Sequence, residues 1–455
     1  MDDRPRNVIL LESTDDKILI NYHGINVSIE RNFEALLDFF LKDSTQSIQT
    51  ADTIFNIGHI NHANFNYLMG MAGKNKSFPN QLSDSLLGEG NLWIQNLRQE
   101  LLKRHLSIRN DNYSVFQNYG WLVETFLFKM STPIGQERSL RRLSFMVEAY
   151  QASLRYLAYI QMASLLMLTD KPKPGIVNEF IHMQGDQYLR FDYTSLLLIV
   201  TEALGKKGFI EEIFDFTREL QNTESILFSS ALFLDAKRQE LLANKISQDD
   251  SLEIVLDEYL TALVHWLRRV SFLGKYSLAS VKEITLKFGL GTPENYIHLY
   301  GELHGFYEEI DPKEGESVQN HSNRDNEIQD DYNRMALNGF YTFNKSVLLF
   351  KGTDVPTAMD QIKNGGSFLS LSPFLIDQSV YAEKLTQTPE IYYYTGYDKT
   401  KSQYSYSQYK NELVFGESKK IISNKHLSVS GQNIKQPPLD ELYEQLEIIL
   451  SPLKA

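Results

Sequence analysis

The chain has 455 residues, of which 42% are hydrophobic and 23% charged, with a formal net charge of -13 and no cysteine. That length suits two or three folded domains, and the missing cysteines exclude disulfides, thiolate zinc sites and thiol nucleophiles. The acidic balance argues against an extended nucleic-acid face, because affinity independent of base sequence comes from Lys and Arg neutralising phosphates.

The opening "MDDRPRNVILLESTDD" carries only a four-residue apolar run between charges, too short for the hydrophobic region of a signal peptide. Runs such as "SLLLIV" fall far short of the roughly 20 residues a membrane span requires. A cytoplasmic protein without membrane contact is the expectation.

Residues 7 to 30 read as short strands, with Ile25, Val27 and Ile29 alternating in the last of them. An amphipathic helix follows, with Phe33, Leu36, Leu37, Phe40 and Leu41 on one face. So small an αβ unit has little core of its own and is stable only when docked on something. In "TIFNIGHINHANFN", Ile54, Ile57, Ile60 and Ala63 recur every third residue, a period that fits neither helix nor strand. The interspersed Asn residues and Gly58 supply turn chemistry. We therefore take residues 1–68 as an αβ adaptor module ending in an Asn/Ile-rich connector, and 69–90 as a linker.

Residues 91–310 are expected to be helical. The clearest case is "SLRRLSFMVEAYQASLRYLAYIQMASLLML", where Leu140, Leu143, Val147, Tyr150, Leu154, Leu157, Gln161, Leu165 and Leu168 step by three and four, before Pro172 and Pro174. Further helices are predicted over 193–205, 209–220, 228–244, 251–271, 277–288 and 293–309. Residues 311–337 form an acidic linker, whose first part holds too few apolar groups to offset the entropy of ordering. Residues 338–455 read as strands separated by Gly, Pro and Asp turns, closed by a helix in "PLDELYEQLEIILSPL". The predicted class is α+β, mainly α: a small αβ module, a helical bundle body and a β-rich C-terminal domain with a terminal helix.

Few residues suggest chemistry. His59 and His62 lie in a non-helical stretch without further ligands, so no metal is expected there. Arg98 and His105 have an Arg-x6-His spacing loosely like that of helical ribonucleases, in which His acts as acid or base and Arg stabilises developing charge. His298 and His304, with Glu302 and Glu308, read as surface residues near a helix C-terminus, where imidazolium complements the dipole. "LGKKGF" lacks the preceding strand and following Ser/Thr of a phosphate loop, and "GLGTPEN" lacks the third glycine of a dinucleotide fingerprint. Arg138, Arg141 and Arg142 form a basic cluster before the strongest helix. Arg155 lies inside that helix between Leu154 and Tyr156, where a charge needs an acidic partner or a ligand. Seven tyrosines between Tyr392 and Tyr409 could stack on bases or peptides, or simply pair across strands.

"INVSIERNFEALLDFFLK" followed by "IQTADTIFNIGHINHANF" resembles the effector-associated N-terminal modules of bacterial conflict (anti-phage defence) proteins. "EAYQASLRYLAYIQMASLL", "GGSFLSLSPFLID" and "EIYYYTGYD" resemble helical and β segments that accompany effectors in such systems. The resemblance implies an adaptor, sensor or scaffold that recruits another protein, encoded nearby, and that can self-associate. The chain departs from many such proteins in having no recognisable nuclease, TIR, protease or kinase segment. The residues expected to meet a partner or ligand are Ile54, Ile57, Ile60, Phe65, Arg141 and Arg155, with no cofactor and no metal. The alternatives are a ribonuclease-type effector using Arg98 and His105, and a sensor of a small nucleotide or phage component.

Overall fold

Three antiparallel strands open the fold: β1 (Leu10–Ser13), β2 (Lys17–Tyr22) and β3 (Ile25–Glu30), in the order β1-β2-β3. The ladder sets Ile18 opposite Ile29, Ile20 opposite Val27 and Tyr22 opposite Ile25, so the apolar positions of both strands coincide in register. The computed structural model describes these strands and residues 92–454, apart from 106–111, 169–173, 244, 247–250, 288–294, 304–332, 339–344, 353–367, 382–388, 409–425 and 431–436. The helix expected over 33–41 and the connector with Ile54, Ile57, His59, Ile60, His62 and Phe65 lie outside the described residues.

The helical body begins with α1 (Leu92–Arg104), α2 (Trp121–Ser131) and the single turn α3 (Pro133–Gln136). Glu124, itself buried, closes the start of α2: its Oε1 accepts the backbone N–H of both Tyr119 and Gly120 at 2.8 Å. At the centre runs α4 (Leu140–Leu166), N-capped by Ser139, whose Oγ accepts the Arg142 N–H at 3.3 Å. The sequence suggests one apolar stripe on this helix, yet every residue from Leu143 to Leu165 is buried. Small residues make that possible, because Ala149, Ala152, Ser153, Ala158, Ala163 and Ser164 let neighbouring elements approach the other faces. Ser153 Oγ accepts the Trp266 Nε1–H at 2.7 Å and Ser164 Oγ accepts the Phe209 N–H at 3.1 Å, so even the hydroxyls on those faces are used.

Around α4 stand α5 (Gly175–Ile181), α6 (Tyr193–Leu204), α7 (Glu212–Leu220), α8 (Ile226–Leu242) and α9 (Ser251–Arg269). α6 to α9 match the sequence-based helices to within a few residues, whereas α5 is a helix the sequence reading did not include. Trp266 is fully buried and meets Tyr150 and Phe216 edge-on at 5.0 and 5.2 Å. No helix among the described residues is long and apolar enough to cross a membrane.

The helices expected over 277–288 and 293–309 are corrected to strands. β4 (Tyr276–Lys287) and β5 (Asn295–Glu302) pair antiparallel, and a bulge at Lys282 shifts their register between Val281 and Glu283. That extra residue puts Ile284, three positions on, into the same small cluster as Val281, while Leu278 packs in the main core, so apolar residues fall on both faces of β4 and break the plain alternation of a strand. The acidic linker is corrected too. β6 (Asn333–Asn338) falls largely within 311–337 and pairs with β5, while β4 pairs with β7 (Ser346–Lys351) from beyond that segment. The sheet order is β6-β5-β4-β7-β8, with β8 spanning Phe368–Ser370. The helical body therefore ends before Tyr276 rather than at residue 310.

A second sheet, in the order β12-β11-β10-β9, is built from β9 (Leu375–Asp377), β10 (Ile391–Asp398), β11 (Gln403–Gln408) and β12 (His426–Ser430). The terminal helix α10 (Pro437–Lys454) buries Leu442, Leu446 and Leu450, and its Glu447 accepts the Tyr404 hydroxyl at 2.6 Å. The mixed fold, mainly helical, matches the sequence-based class. One hydrophobic core runs from Trp93 in α1 to Leu450 in α10, so the β-rich part and the helical body share an interior.

Candidate functional site

The strongest concentration of buried charge centres on Arg155. Glu148 and Arg155 lie seven residues apart on α4, two helical turns that return to the same face. Arg155 Nη1 meets Glu148 Oε2 at 3.5 Å, with both side chains almost fully buried. Two rings enclose the guanidinium: Tyr193, the first residue of α6, at 5.6 Å and Tyr393 of β10 at 5.2 Å. Burial opposes the positive charge, but the Glu148 carboxylate beside it favours that charge, and the Arg155 pKa lies above its ordinary value. Burial also pushes the Tyr159 and Tyr393 phenols upward, so they stay neutral.

Of the two readings of Arg155, an internal ion pair or a ligand-binding arginine, the geometry fits the ion pair. At 2% exposure Arg155 is reached by nothing from solvent, and Glu148 with the two rings occupies it. Beside it, a recess lined by Gln151, Asp192, Tyr193, Thr194, Asp235 and Arg238 has room for a water-sized guest, far short of a nucleotide.

The basic cluster at the start of α4, Arg138 just before it and Arg141 and Arg142 in its first turn, is also engaged. Arg138 pairs with Glu253, and Arg142 Nη1 donates to the Gln136 carbonyl at 2.9 Å. Arg141 lies over the Phe145 ring at 5.8 Å. Of the residues expected to meet a partner, Arg141 is the one in the described part that keeps some exposure.

Of the pair Arg98 and His105, His105 is drawn into the interior. His105 follows the end of α1 with its Nε2–H donating to the Ser271 carbonyl at 2.9 Å. It packs against Gly274 in the 3-10 turn Val270–Lys275, and is 5% exposed. Burial lowers its pKa, so it stays a neutral internal donor. Replacing His105 by Ala is expected to cost about 2 kcal/mol, because a buried carbonyl loses its donor. Urea unfolding measures that loss, while RNA cleavage by the full chain should not differ from wild type.

His298 is corrected from a surface helix end to strand β5, where it is buried and its Nδ1 donates to the Tyr296 carbonyl at 3.2 Å. Glu302 ends the same strand, and His304 and Glu308 lie outside the described residues. No group of three or more His, Asp or Glu suited to a metal occurs among the described residues.

The tyrosines of β10 and β11 are structural. Tyr394 faces Tyr406 and Tyr397 faces Tyr404 in cross-strand register, with ring separations of 5.6 and 4.7 Å. Tyr394 also donates its hydroxyl to the Ile181 carbonyl at 2.7 Å, fastening the sheet to the end of α5.

Burial pushes the His265 imidazole down to about 4, aided by Arg268 and Arg269. A histidine whose folded pKa lies below its unfolded value of about 6.5 takes up protons preferentially in the unfolded chain. Stability should therefore fall as pH drops from about 6.5 to about 4. In His265→Gln, the acid slope of the urea midpoint should flatten relative to wild type.

Comparison with known proteins gives no match among family models, curated proteins or solved structures. The remaining distinctive feature is the N-terminal sheet. Among the described residues it shares no strand with either sheet of the body. Its outer strands β1 and β3 each have one edge unpaired within that set.

Proposed function

We propose that the chain is a non-enzymatic adaptor or sensor of a bacterial defence system, working in the cytoplasm and recruiting an effector protein through its N-terminal module. The observation that supports this reading is the separateness of the β1–β3 sheet, which shares no strand with the body sheets among the described residues. A small sheet with apolar positions in register needs a covering surface. The buried charges favour the same reading: Arg155 and His105, the residues best suited to phosphate chemistry, serve internal contacts. The body acts as the scaffold on which the module is displayed.

The test is capture. Full-length chain, tagged at its C-terminus and expressed with its native gene neighbourhood, should retain a neighbour-encoded protein. Ile57→Asp with Ile60→Asp in the connector should abolish retention without changing the body's unfolding midpoint. Loss of both retention and folding, or no retained protein with wild type, would count against the reading.

A further inference from the structure

We draw no further inference here: the strongest candidate, the Ser407–His426 side-chain pair that joins β11 to β12 at 3.0 Å, carries nothing because Ser407 is 0% exposed, so no substrate reaches its hydroxyl, and the pair is accounted for as a cross-strand contact.

Discussion

Arg155→Ala is expected to lower the free energy of unfolding by about 3–5 kcal/mol, the range for removing one partner of a buried ion pair. The substitution leaves the Glu148 carboxylate in an interior where it is 5% exposed and has lost its counter-charge. It also empties the space between Tyr193 and Tyr393, whose rings lose a desolvated cation. Arg155→Lys should recover only part of the loss, since an ammonium has no plane to lay between two rings. The double change Arg155→Met with Glu148→Leu should come closest to wild type, because apolar residues of similar volume need no counter-charge. Urea unfolding of the three variants against wild type measures these differences. A loss below about 1 kcal/mol in Arg155→Ala would show that the guanidinium does not organise the joint between α4, α6 and β10.

Arg155 also shows how far a sequence can be read. Its place inside an apolar helix marks it as a charge needing a partner, and Glu148 is recoverable as the acid two turns earlier on the same face. Tyr193 and Tyr393 come from distant parts of the chain, brought together by packing that no local period encodes. The helices from Tyr193 to Arg269 were legible because their apolar positions repeat at helical spacing and their starts carry caps such as Asp192 and Ser225. The strands after Ser346 were legible from β-branched and aromatic runs between turns. β4 was not legible, because its bulge resets the alternation and gives a spacing of three where a regular strand would show two. Misreading β4 carried β5 with it, moved the body's end past Tyr276, and placed His298 on a surface that does not exist.

The second large effect is expected at Gly396, where the sheet meets the helical body. Gly396 sits at the register shift between β10 and β11 with φ of 140°, a conformation that side chains rarely adopt. A methyl group there would fall on the Met183 carbonyl oxygen, well inside contact distance, and backbone cannot swing aside as a flexible side chain would. Gly396→Ala must therefore open the contact between β10 and the chain after α5. That motion pulls on the Tyr394 hydroxyl bond to Ile181 and on the Phe180–Tyr394 ring contact at 5.6 Å. We expect a loss of about 3 kcal/mol or more, combining backbone strain with overpacking. Gly185→Ala supplies the control: its φ is 54°, but an added methyl meets nothing within 4 Å, so it carries only the strain of a left-handed residue, about 1–2 kcal/mol. The difference between the two variants in urea isolates the clash. Equal losses would mean that β10 does not rest on the Met183 backbone, and the shared core between sheet and helices would then need another anchor.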